Sequence, residues 1–140
     1  DFYVSFEADS LMYRYDLDYN QLVCFGFAGR DMDLNYLRWD SYDQPWKERL
    51  AERMSRGFYN AVEYVDETGL LFRSYRKGGG SVTDGLQGYR GGVLVGDVDV
   101  PLGFRMAGYV APYYYSYVVP DEEGERLYMF RFKWPSAPEE

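Results

Sequence analysis

Residues 127–134 alternate without a break: Tyr128, Phe130, Phe132 and Trp134 fall on one side, Leu127, Met129, Arg131 and Lys133 on the other. Successive side chains of a β-strand point to opposite faces, whereas a helix would scatter these rings around its circumference. The pattern predicts a strand with an aromatic inner face and a basic, amphipathic outer one. Just before it, Pro120-Asp121-Glu122-Glu123-Gly124 combines a fixed φ, solvent-seeking acids and a glycine suited to positive φ, which is turn chemistry. Phe104 to Trp134 therefore reads as two long strands joined by an acidic turn. The first should bend near Gly108 and Ala111-Pro112, because proline removes a ladder donor.

The rest of the chain is read around that hairpin. Aromatic residues make up 20% of the sequence, with 16 tyrosines, and rings suit a pleated surface better than a helix. Phe2 to Ala8 alternates, with Phe2, Val4 and Phe6 on one face. Met12 to Tyr19 does the same with Tyr13, Tyr15, Leu17 and Tyr19, leaving Arg14, Asp16 and Asp18 for a solvated face. Asn20-Gln21 then turns the chain into a third strand, Leu22 to Phe27. Such short links predict an antiparallel meander.

Residues 28–43 are irregular, apart from one short helical turn suggested by Leu34 and Leu37. A helix signal follows. Asp43 suits an N-cap and Pro45 a first turn, and Trp46, Leu50, Met54 and Phe58 recur every four residues. The stripe continues through Ala61, Val62 and Val65, which favours one helix over residues 44–64. The competing reading stops the helix at Arg56-Gly57, makes Phe58 to Val65 a strand, and turns at residues 66–69.

Leu70 to Arg76 is a strand either way. Lys77 to Gly92 holds seven glycines, and glycine this dense predicts a mobile loop. Val93 to Val100 is a strand with Leu94, Val98 and Val100 on one face and Asp97 and Asp99 on the other. Residues 135–140 form a polar tail. The expected fold is α+β, mainly β: a single domain over 1–140. A strongly curved antiparallel sheet of about seven strands, open or closed like a barrel, would carry one main helix.

Several functions are excluded by what is missing. There is no histidine, so no histidine triad, metal site or pH switch can form. Cys24 is the one cysteine, too few for a disulfide within the chain or a cysteine zinc site, and it reads as a small buried hydrophobe. One cysteine fits a reducing compartment and leans toward the cytoplasm. The chain begins with Asp1 rather than Met, which leaves a removed leader open. No apolar run approaches the length of a membrane helix, so no membrane contact is expected. A net charge of −8 argues against direct nucleic-acid binding, whose affinity comes from Lys and Arg on phosphates.

The remaining candidates are weak singly. Asp16/Asp18, Asp31/Asp33 and Asp97/Asp99 are spaced to place both carboxylates of a pair on one face of a strand, but two acids do not make a metal or acid–base site. Lys77-Gly78-Gly79-Gly80-Ser81 does not match a phosphate loop, which continues into a helix. No cofactor or metal is expected, and catalysis is not favoured. The leading expectation is a non-catalytic interaction protein, an inhibitor or immunity-type module. It would meet a basic or nucleic-acid-handling protein partner through Tyr15, Asp16, Asp18, Asp31, Asp33, Tyr36 and Tyr114. The alternative is a small-ligand module for a carbohydrate or apolar molecule. Its aromatic pocket would be gated by the 77–92 loop and lined by Lys77, Tyr113, Tyr115 and Tyr117.

Overall fold

The computed structural model describes residues 1–36, 45–121 and 123–135. In chain order the elements are β1 (Phe2–Ser5), β2 (Met12–Tyr15), β3 (Gln21–Phe25), α1 (Trp46–Arg56), β4 (Gly57–Val65), β5 (Leu70–Lys77) and β6 (Thr83–Arg90). They continue with β7 (Val93–Pro101), β8 (Met106–Val110), β9 (Tyr113–Ser116), β10 (Val119–Pro120), β11 (Leu127–Tyr128) and β12 (Arg131–Phe132). The described residues are mainly β with one helix, and every strand pair among them is antiparallel. It is not one curved sheet. The strands form four sheets, β1-β2-β3, β4-β5-β6-β7, β12-β9-β8 and the small hairpin β10-β11, and none closes into a barrel.

The sheet β4–β7 is the centre, and both of its faces are covered. Leu70 and Phe72 of β5 point to one face, where Leu86, Val100, Phe104, Met106 and Tyr114 pack with Phe130, Phe132 and Trp134 from the C-terminal sheet. Leu71 and Tyr89 point to the other face, against Met12, Tyr3 and Phe25 of the N-terminal sheet. A strand buried on both sides reads as continuous rather than alternating hydrophobicity, and β5 is buried along nearly its whole length. A single-layer sheet cannot bury this many rings, whereas three layers give each set its own core.

Three expectations change here. The helix ends at Arg56, because Gly57 takes φ 82° and its N–H caps Arg53 O. A Cβ at Gly57 would also lie 2.5 Å from Arg76 O, so the turn into β4 requires glycine. The apolar stripe past residue 57 belongs to a strand instead. On the helix itself the stripe is not core, since Trp46 is 70% exposed. The expected N-cap Asp43 and the turn residue Leu37 lie outside the described residues, as does the tail over 136–140.

Residues 77–92 are not a loop. Only residues 78–82 link β5 to β6, and β6 is a buried central strand. Its glycines make room for rings. A Cβ on Gly85 would sit 1.9 Å from Tyr75 Cζ, and Cβ atoms on Gly88 and Gly96 would lie 2.6 and 2.5 Å from the Trp134 ring. In a strand, glycine marks such close approach. Beside them a bulge shifts the register from Gly88↔Gly96 to Tyr89↔Leu94. Leu94 is therefore turned toward the N-terminal sheet, away from Val100. The long strands expected over Phe104 to Trp134 are likewise broken, into β8 to β12, although Gly124 does take positive φ in the turn (71°).

Candidate protein-docking face

The N-terminal sheet has an inner and an outer face, and its register says which side chains lie on each. Tyr3 and Met12 pack inward, and Arg14, opposite Tyr3, shares that side. Phe2 and Tyr15, opposite each other, and Tyr13, opposite Val4 on one side and Cys24 on the other, therefore point outward with those partners. The face expected to be solvated is thus covered at Met12, while Arg14 beside it keeps its side chain 40% exposed and pairs with Asp1 at 3.8 Å. On the outside the rings pack on one another rather than on a core. Phe2 stacks on Tyr15 with centroids 5.7 Å apart, Tyr19 meets Phe2 at 5.8 Å, and Phe6 meets Tyr13 at 6.1 Å. Phe6 is 57% and Tyr19 79% exposed. Cys24 lies on this face too and is exposed, so it is not the buried hydrophobe expected.

Acids surround these rings. Asp9 accepts a hydrogen bond from Tyr13 Oη at 2.6 Å, which raises the Tyr13 pKa. Asp16 closes the β2–β3 turn by accepting from the N–H of Asn20 and of Asp18 and from the Asn20 amide. Those bonds, the Asn20 backbone first, hold its carboxyl below the usual range. Strand β2 accordingly stops at Tyr15, and the turn spans 16–20. Residues 1–27 carry five acids, Asp1, Glu7, Asp9, Asp16 and Asp18, against the single base Arg14. The edge strand β3 holds no charged residue at all.

Tyr15 and the turn residues Asp16 and Asp18 thus lie at one end of the N-terminal sheet, but the other expected partner residues do not join them. The Tyr3 ring touches Tyr64 at one end of β4, while Gly57 at the other end pairs with Lys77. Asp31 lies at that second end, its carbonyl accepting from Gly78 N–H and its carboxylate 3.6 Å from Lys77 Nζ. The separation is roughly 20 Å along the strand. Asp33 pairs with Arg56 at 2.6 Å, and Tyr36 donates to Gly57 O. Tyr114 is 4% exposed inside the C-terminal core, so it cannot reach a partner.

A polar seam holds the N-terminal sheet to the centre, and nothing in the sequence pattern pointed to it. Arg73, fully buried, donates from Nε to Ser5 Oγ, from Nη1 to Ser10 O, and from Nη2 to Asp9 O and Phe6 O. Burial lowers its pKa to about 10. Three tyrosines grip the segment after β3. Tyr59 Oη accepts from Gly29 N–H and donates to Phe27 O; Tyr75 Oη accepts from Arg30 N–H and donates to Asp97; Tyr89 Oη accepts from Phe27 N–H. Asp99 receives Lys77 Nζ at 2.5 Å and Arg30 Nη2 at 2.7 Å, and the Lys77 bond leads in lowering its pKa. The Asp97/Asp99 pair is thus spent on structure. Among the described residues no group of three or more acids or cysteines is placed to hold a metal.

The alternative ligand residues also separate. Lys77 is buried in the seam, whereas Arg131 and Lys133 lie over the Tyr113 ring at 4.3 and 5.4 Å on the C-terminal sheet. Tyr117 takes Arg105 over its ring at 5.4 Å. With 83–90 built into a strand, no long loop gates them. A different hollow is present: a groove of ≈ 660 Å³ between β7 and the C-terminal strand, walled by Leu86, Val98, Val100, Phe104, Phe130 and Trp134. The ring-facing glycines Gly88 and Gly96 were its one sequence trace.

These features define a class, a layered antiparallel β protein with an uncovered acidic aromatic sheet. Compared with known proteins, the chain matches no family model, no curated sequence and no solved structure. No described helix is long and apolar enough to cross a membrane.

Proposed function

We propose that this is a non-catalytic interaction module, acting as an inhibitor or immunity-type protein that docks a basic protein partner on the outer face of its N-terminal sheet. The observation that carries the reading is two ring groups on that face, Phe2 with Tyr15 and Tyr19, and Phe6 with Tyr13, in which Phe6 and Tyr19 are exposed and the other three half-buried, with Asp9 and Asp16 beside them. Tyrosine and phenylalanine give large contact area at small entropic cost, and carboxylates between them pair with Arg or Lys from a partner while the rings receive the cation face-on. Charge of one sign also speeds encounter with a basic protein.

The open strand β3 supports the same reading. Edge strands are usually guarded by lysine, proline or inward charge, and Gln21-Leu22-Val23-Cys24-Phe25 has none of these. A partner covering the face would cover this edge as well. Cys24, the single cysteine and exposed on the face, makes a direct probe. A photoreactive maleimide placed there should cross-link to members of a panel of purified cationic nucleic-acid-binding proteins at low salt. Absence of cross-links across the panel would refute the proposal.

A further inference from the structure

We infer that the groove between β7 and β12 is a binding site for an amphipathic carboxylate, an alkyl chain of fatty-acid type with its head at Arg90. The inference is independent of the docking face, which lies on the other side of the central sheet.

The groove runs along an edge strand, from Trp134 and Arg90 at one end to Pro101, Phe104 and Phe130 at the other. Its volume of ≈ 660 Å³ falls within the range of about 300–1,000 Å³ usual for small-molecule sites. The walls are mainly hydrocarbon and aromatic, and Val95 and Val98 stay exposed within it. Such a wall selects an apolar chain and offers little to a carbohydrate, which needs several placed polar groups.

The polar end has one sign. Arg90 follows Leu86 and Gly88 on the face of β6 that meets the C-terminal sheet, whereas Arg131 and Lys133, though their residues line the groove, carry their cationic ends over the Tyr113 ring on the other face of their strand. The one acid in the lining, Asp99, turns its carboxylate to the opposite face, where Lys77 and Arg30 hold it. A second hollow of ≈ 470 Å³ adjoins the groove and shares Arg90, Lys133, Trp134 and Pro135 with it. Its lining includes Thr68, whose Oγ1 is buried without a hydrogen-bond partner among the described residues. In a chain of net charge −8, the junction sets the Arg90 cation and an unused hydroxyl beside an apolar channel. An anionic head at the Arg90 junction and a chain laid toward Phe104 satisfy both.

Isothermal titration calorimetry with octanoate, decanoate and dodecanoate, each below its micelle concentration, tests this on the full chain. Affinity should rise roughly two- to fourfold per added methylene. Dodecyltrimethylammonium should bind at least tenfold more weakly than dodecanoate. Arg90→Gln should remove the preference for the anion yet keep the chain-length dependence, and Val98→Trp, at an exposed position, should abolish binding. Circular dichroism verifies that each variant is folded; if Val98→Trp is not, Val95→Trp replaces it. No heat with any carboxylate, equal affinity for the cation, or binding unchanged in the folded blocking variant would overturn the inference.

Discussion

The Arg73 guanidinium lies 3.3 Å from the centre of the Tyr59 ring, a fully buried cation stacked on a ring with no ion pair to a carboxylate among the described residues. Its charge is balanced by backbone carbonyls of the β1–β2 turn, by Ser5 Oγ and by that ring. The pairing links the central sheet to the N-terminal sheet, the one proposed to carry the docking face. Arg73→Met should therefore cost more than an ordinary core substitution, because several buried acceptors lose their donor at once. A loss of at least about 3 kcal/mol is expected. Thermal melting would register it as a fall of about 10 °C.

Tyr75→Phe should act more locally. It deletes the oxygen that accepts from Arg30 N–H at 3.1 Å and donates to Asp97 at 2.5 Å, while the ring still fills the space over Gly85. The expected loss is about 1–3 kcal/mol. Amide hydrogen exchange should accelerate at Arg30 and spare β5 and β6. Uniform acceleration would show that the tyrosine supports the whole domain rather than the strap over residues 27–30.

Gly85→Ala should destabilise strongly, by more than about 3 kcal/mol, because the added methyl meets Tyr75 Cζ at 1.9 Å and a buried ring cannot move aside cheaply. Gly108→Ala is the control. Nothing lies within 4 Å of its new Cβ, so denaturant midpoints should place it within about 0.5 kcal/mol of the parent.

Stability should pass through a maximum at mildly acid pH. Burial raises the pKa of Asp84 and of Glu63, so the folded state binds protons more readily and stability grows as pH falls from neutral through those raised values. Asp99, with Lys77 as the main cause, and Asp33, held first by Asn35 N–H, have lowered pKa values. Their contribution is complete above the unfolded value of 3.8 and is lost as pH falls through the folded ones. Urea titrations across this range check both limbs. Asp84→Asn should flatten the rise and leave the acid-side fall in place.

The sequence carried the strands better than their assembly. Phe130, Phe132 and Trp134 alternate because one face of that segment meets a core, and they pack as the period requires. Gly124 was legible because a tight turn needs its φ. What misled was residue type with two physical uses. Glycine in 83–92 signals a loop by its entropy, yet Gly85 and Gly88 are small because Tyr75 and Trp134 lie on them. The four-residue stripe from Trp46 runs through Gly57, where positive φ ends the helix and Phe58 starts a strand. Of the site, the acidic aromatic character of Tyr15, Asp16 and Asp18 could be read directly. The burial of Tyr114 and the exposure of Cys24 could not, because strand periodicity gives two faces without saying which one another sheet covers.

The docking proposal is tested most directly by binding measured with the face altered and the fold kept. Tyr15→Ser with Asp18→Lys changes one outward ring and one exposed acid, neither part of the seam that holds the sheet. Titrated against the same cationic nucleic-acid-binding proteins at low salt, the parent should form a complex that weakens as salt is raised, and the double variant should bind at least tenfold more weakly. A parent that binds none of them, or a folded double variant that binds as tightly as the parent, would contradict the account.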